Sequence, residues 1–186
     1  MGDSTLIIPD TVKEIGENAF TSCDSLESVT IPGSVKEISF QVFCGCLNLV
    51  SVNICDGVEV IGETAFYNCT ALESVIIPDS VTEIGKQAFK ECSSLATITI
   101  PSSVTTIEGD AFGFCSKLKT VIIDSEGIAS QIGGIDYDDC GALISNATTV
   151  KVPTSIVGSL NSYVKTNFKN VSTETIGGVE YTVYSK

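Results

Sequence analysis

The chain has 186 residues, 43% of them hydrophobic, which is enough for one domain with a sizeable core. Its formal net charge is −13, from 23 acidic residues against 10 basic ones; every basic residue is a lysine, and histidine is absent. Nucleic acid and anionic membrane surfaces both reward clustered cations, so neither is expected as a partner, and neither a signal peptide nor an apolar run long enough for direct membrane insertion is read in the chain.

The chain opens on Leu6, Ile8, Pro9, Val12 and Ile15, which align with Val29, Ile31, Pro32, Val35 and Ile38. It therefore starts partway through a repeat, without the atypical unit that usually caps a solenoid, and is expected to be a piece of a longer protein. The period is 23 residues: Phe20, Phe43, Phe66, Phe89 and Phe112 keep that step, as do Cys23, Cys46, Cys69, Cys92 and Cys115. Leu26, Leu49, Leu72, Leu95 and Leu118 repeat with them, and the strand positions Val29, Val52, Val75, Ile98 and Val121 do the same. A fixed period of this size marks a solenoid.

Within each unit, L-x-x-V-x-I ends in an apolar-polar alternation, which predicts a short strand with one buried face. The following I-G-x-x-A-F-x-x-C sets Ile, the Ala-Phe pair and Cys at offsets of three to four, which predicts a helical or 3₁₀ turn. Ordering a residue costs roughly 1–2 kcal/mol, and a fully buried large apolar side chain returns roughly 1.5–3 kcal/mol. A single unit with six such side chains falls short, so stability belongs to the stack.

The second unit departs most from the pattern. Ser39 replaces the Gly of the pattern, Val42 replaces Ala, Cys44 is extra, and Cys55 replaces Pro. Drift within a tolerant coil is the favoured reading, against a bridge or reactive site formed by Cys44 and Cys55. Cys44-x-Cys46 is a poor metal signal, since no second pair of thiols or imidazoles accompanies it. The five periodic cysteines stack about 4.8 Å apart with parallel side-chain vectors, too far for a disulfide, and are expected to be free, buried thiols.

Alternation along the strands leaves Ser28 and Thr30, Ser51 and Asn53, Ser74 and Ile76, Thr97 and Thr99, Thr120 and Ile122 pointing outward. They form two columns of small, mostly hydroxylated side chains. Small and β-branched residues also suit a crowded parallel sheet on purely structural grounds, yet this is the repeated exposed surface of the stack and the candidate protein-binding face. Acidic residues fall mainly in the turns, at Glu14, Glu17, Glu37, Glu59, Glu63, Glu83, Glu108 and Asp110, and read as a solvated rim that keeps the chain soluble.

After Asp124 the period stops, and residues 1–124 and 125–186 are expected to form the repeat solenoid and an irregular C-terminal cap. Asp136, Asp138 and Asp139 lie in an acidic loop that lacks the full spacing of a calcium site, and Cys140-Gly141-Ala142-Leu143 echoes the repeat. Val150–Pro153 reads as a last strand. Thr154 or Ser155 can cap a helix whose apolar face is Ile156, Val157, Leu160, Tyr163, Val164 and Phe168. Val179, Tyr181 and Val183 alternate after Gly177-Gly178, predicting a terminal hairpin. Three Asn-x-Ser/Thr triplets, at Asn68, Asn146 and Asn170, match a glycosylation pattern that is common by chance.

The pattern L-x-x-V-x-I-P-x-S-V-x-x-I-G-x-x-A-F-x-x-C, over residues 6 to 124, resembles the BspA-like, or treponemal-type, leucine-rich repeat family of bacterial and protist surface proteins. The resemblance implies an α/β repeat fold: a right-handed leucine-rich-repeat solenoid with a parallel sheet on the concave face and short helical or 3₁₀ turns on the convex side. It also implies a cell-surface or secreted location and a protein ligand such as extracellular matrix.

Enzymatic activity and cofactors are not expected. A histidine base, a nucleophile elbow and a phosphate-binding glycine loop are all missing. A binding module acting in adhesion is the leading reading. The alternatives are a structural spacer and, behind it, carbohydrate recognition, for which the columns lack stacking aromatics.

Overall fold

The computed structural model describes residues 4–131, 146–160 and 162–186. The strands predicted from each L-x-x-V-x-I form along one side of the stack. β1 (Thr5–Ile7), β2 (Ser28–Ile31), β4 (Ser51–Ile54) and β6 (Ser74–Ile76) make one parallel ladder, in which each strand pairs with its counterpart 23 residues away. β8 (Thr97–Ile100) and β10 (Thr120–Ile123) continue in a second ladder, so the strand side is two sheets end to end rather than one.

A second short strand per coil was not legible in the sequence. β3 (Glu37–Ile38), β5 (Val60–Ile61), β7 (Glu83–Ile84) and β9 (Thr106–Ile107) form their own four-stranded parallel sheet. Each supplies one buried isoleucine, and a two-residue strand is too short to show a period.

The expected turns form, and they are of the 3₁₀ kind rather than helical. Phe–x–x–Cys is closed by i→i+3 bonds, as from Cys46 N–H to the Phe43 carbonyl and from Cys69 N–H to the Phe66 carbonyl, but the turns do not run on into a helix. The intervening N–H groups donate to the next coil instead: Phe43 to Ala65, Phe66 to Ala88, Phe89 to Ala111, at 2.7–2.9 Å. Two residues per coil, four apart, sit at positive φ to allow this, among them Gln41, Thr64, Gln87 and Asp110 in one row and Ser22, Asn68, Glu91 and Phe114 in another. Each residue there costs something as a non-glycine left-handed conformer, and the bond to the next coil offsets it.

Inside, Phe20, Phe43, Phe66, Phe89 and Phe112 stack with ring centroids 5.2–5.4 Å apart and planes within 10°. That spacing exceeds the ladder step of about 4.8 Å, so the rings are offset, the arrangement aromatic faces prefer. All but Phe20 are fully buried; Phe20 ends the row.

Hydroxyls tie the coils together. Ser34 and Ser80 donate to the carbonyls of Val12 and Val58 one coil back, both at 2.6 Å. Where the third coil carries Cys55-Asp56-Gly57 in place of Pro-x-Ser, Gly57 takes φ +109° and its backbone lies against Gly33. A methyl on Gly33 would fall on the Asp56 carbonyl oxygen, so the two glycines accommodate each other. Cys44 and Cys55 are both free thiols.

Beyond β10 the chain forms α1 (Glu126–Gln131), then β11 (Thr149–Pro153), which pairs parallel with β10. The single helix expected after Pro153 is broken. A 3₁₀ helix covers Thr154–Ser159 without a side-chain cap, Leu160 is extended, and α2 spans Ser162–Asn167. Thr154 bonds Thr182 instead of capping, and Gly158 weakens a continuous helix. Leu160, Val164 and Phe168 are buried, while Tyr163 is exposed. β12 (Asn170–Ile176) and β13 (Val179–Ser185) make an antiparallel hairpin, and β13 inserts beside β11, leaving β12 at the edge. The expected alternation on β13 gives way to burial of Tyr181, Thr182, Val183 and Tyr184 in a row, because β13 has strands on both sides and a 3₁₀ helix against it. Among the described residues no helix is long and apolar enough to cross a membrane.

Candidate functional site

The ladder register places the outward residues as two straight rows. Ser28, Ser51 and Ser74 are aligned Cα partners, as are Thr30, Asn53 and Ile76. In the second ladder Thr97 pairs with Thr120 and Thr99 with Ile122. Ser51, Asn53, Ser74, Ile76, Thr97 and Thr99 are exposed; Ser28, Thr30, Thr120 and Ile122 are half-buried. Their inward neighbours Val52, Val75, Ile98 and Val121 are buried, so the alternation of the strands sorts the two sets.

Both rows extend further than the repeat pattern indicates. Thr5 aligns with Ser28, and Ser28 Oγ donates to Thr5 Oγ1 at 2.9 Å. Ile7, 69% exposed, aligns with Thr30 and matches Ile76, 71% exposed, further along the row. At the other end Thr149 and Lys151 align with Thr120 and Ile122. The step of 23 residues leads back from Ser28 to Thr5 and was sufficient to find it; Thr149 lies outside the period, so only the ladder reveals it.

From β1 to β10 neither row contains a charge, although the chain carries 23 acidic residues. The acids stay on the flanks: Glu27 and Glu73 just before the strands and Asp56 and Asp79 beyond them, all exposed. The first charge within the rows is Lys151, and Glu174 pairs with it.

At the far end, Tyr181 Oη donates to Asp124 Oδ1 at 2.9 Å, holding the hairpin against the last coil. Burial pushes the Asp124 carboxyl above its usual range, with Asp79 adding to the shift and the tyrosine bond opposing it. Burial, then the bond to Asp124, pushes the Tyr181 phenol up to about 12.

Among the described residues no group of three or more Cys, Asp or Glu side chains is placed to hold a metal ion. The acidic loop at Asp136–Asp139, and Cys140 with it, lies outside the described residues.

The family model for BspA type leucine rich repeat regions matches residues 4–119 in six copies. A leucine-rich repeat protein of T. pallidum is 29% identical, with a TM-score of 0.68 over 78% of this chain and 68% of that one. Two further structures share the fold at lower identity. A leucine rich cell surface protein from Faecalibacterium prausnitzii is 24% identical, TM-score 0.60, over 86% of this chain and 51% of that one. The pneumococcal vaccine antigen PcpA is 19% identical, TM-score 0.70, over 90% of this chain and 40% of that one. No curated protein matches the chain.

Proposed function

The chain belongs to the family of BspA-type leucine-rich repeat proteins, and on that premise we propose that it is a non-enzymatic module that binds a protein through the outer face of its strands, in adhesion at the cell surface. The observation that carries this reading is the charge-free strand face. In a chain with 18% charged residues, two rows of positions from β1 to β10 hold only Ser, Thr, Asn and Ile. Depletion of charge is what distinguishes the core of a protein interface from the rest of a surface. Ile7 and Ile76 give the face two exposed apolar contact points.

The face has no aromatic or arginine anchor, the residue types that usually dominate binding energy. Affinity per module is therefore modest, and an array of such modules gains through avidity. A host matrix protein fits a surface module of this kind, and the two lower-identity relatives of the same fold, a cell-surface protein and a vaccine antigen, bear on location through fold alone. The missing anchors favour one second reading, a spacer that extends another module.

The test is binding of the chain to immobilised matrix proteins, alongside an Asn53→Glu/Ile76→Glu/Thr99→Glu variant. Binding lost in the variant at an unchanged melting temperature is the expected result. Binding that survives the variant overturns the strand-face reading, and no binding at high concentration replaces adhesion with the spacer.

A further inference from the structure

The five-stranded sheet ends in an open edge among the described residues. β12 pairs with β13 on one side only, runs seven residues, and is exposed at every position except the half-buried Glu174. An edge of this length presents a row of backbone donors and acceptors, and natural sheets blunt theirs with lysine, proline, a bulge or a very short strand. β12 has none of these. Its register with β13 is unbroken from Asn170↔Ser185 to Ile176↔Val179. It is rich in β-branched residues, at Val171, Thr173, Thr175 and Ile176, and its one charge, Glu174, is neutralised by Lys151. Val171 is 60% and Val179 45% exposed, so the hairpin also leaves apolar surface uncovered.

The charges around the strand indicate what it pairs with. Lys169 immediately precedes β12, Lys165 lies on α2 just before it, and the Asn170↔Ser185 pairing brings Lys186 to the same end. Glu174 and Glu180 lie towards the other end, Glu180 opposite Thr175. A strand that is cationic at its start and anionic towards its end is complementary to itself when paired antiparallel across a two-fold axis. Centred on Thr173, that pairing sets Ser172 opposite Glu174 and Val171 opposite Thr175 of the copy, and carries Lys169 to the Gly177 turn beside Glu180.

We propose that β12 is a dimerisation edge, through which two copies of this chain pair antiparallel over Asn170–Ile176 and join their sheets into one. Sedimentation equilibrium of the full chain should report a monomer–dimer equilibrium. Thr173→Lys places like charges opposite each other across the two-fold and should weaken the dimer about fivefold, with an unchanged circular dichroism spectrum. Lys169→Glu should weaken it as well, and adding Glu180→Lys should restore it. A chain that stays monomeric up to the highest soluble concentration overturns the proposal, as does a dimer that Thr173→Lys leaves intact or a monomer that takes up an extended peptide along β12. A Lys169→Glu/Glu180→Lys chain that fails to recover overturns the antiparallel arrangement.

Discussion

The thiol of Cys69 donates to the carbonyl oxygen of Phe43, 3.2 Å away in the preceding coil. Cys46, Cys92 and Cys115 repeat the bond to Phe20, Phe66 and Phe89 at 3.1–3.3 Å. Each of these carbonyls already accepts the N–H of the cysteine three residues on, so the thiol fills its second lone pair. Cysteine suits the site because it is small and apolar enough for the core yet still a weak donor. Burial pushes the Cys46 thiol up to about 11, the Cys115 thiol up to about 12, and that of Cys69 higher still.

Two results follow for these thiols. Cys69→Ala should cost about 1–2 kcal/mol, a small cavity plus a lost donor, measured by urea unfolding. In the native chain iodoacetamide should label the half-buried Cys23, Cys44 and Cys55, while Cys46, Cys69, Cys92 and Cys115 react only on unfolding. Peptide mass spectrometry reads this directly, and labelling of Cys92 in the native chain would contradict the ladder.

Phe66→Ala should cost about 3–5 kcal/mol, as truncation of a large core side chain does. Phe66 is fully buried and stacked on Phe43 and Phe89, whereas Thr99 is exposed. Thr99→Ala should therefore lie within about 0.5 kcal/mol of the parent chain. Equal losses in denaturant titrations of the two variants would refute the stacked register.

The Asp124–Tyr181 pair gives a pH dependence. Asp124 titrates above its unfolded value, so the folded chain holds a proton there that the unfolded chain has released. This contribution is full below the unfolded carboxylate range and falls as pH rises through the raised value. Asp124→Asn keeps an acceptor for Tyr181 without the charge and should flatten that decline in a series of melts across acid pH. Tyr181→Phe leaves the half-buried carboxylate without its donor and should cost about 1–3 kcal/mol at neutral pH. The Tyr181 contribution is likewise full below its unfolded range and lost as pH rises through about 12. The parent chain should show that alkaline loss, and Tyr181→Phe should lack it.

Gly33→Ala should be more damaging than its half-buried position implies. The added methyl meets backbone of the Asp56–Gly57 turn, which has no room to yield, and a loss of about 3 kcal/mol is expected. Gly16→Ala, where nothing lies within 4 Å, serves as the control and should be near neutral. Thermal melts of both variants decide the matter.

The solenoid core was readable residue by residue because every coil repeats the same translation. Phe43, Cys69, Leu72 and Val75 needed only the period to be placed inward, and Ser51, Asn53, Ser74 and Ile76 outward. What the period does not encode is which hydrogen-bonding group meets which. The four-residue steps from Ile61 to Ala65 and on to Cys69 fit a helix locally, yet bonds from Phe66 to Ala88 and its counterparts to the next coil hold the segment as separate turns.

At the C-terminal end a strand near Val150, apolar positions at Leu160, Val164 and Phe168, and a turn at Gly177-Gly178 could be read along the chain. That Thr149 continues the row of Thr120, that β13 rather than β12 lies beside β11, and that Tyr181 reaches Asp124 across 57 residues emerges from the packing alone. The reason is physical. Periodic positions are related by one fixed step, so neighbours in space are predictable along the chain, whereas the aperiodic end is placed by packing against the last coil, and the residues that meet there share no spacing that the sequence could display.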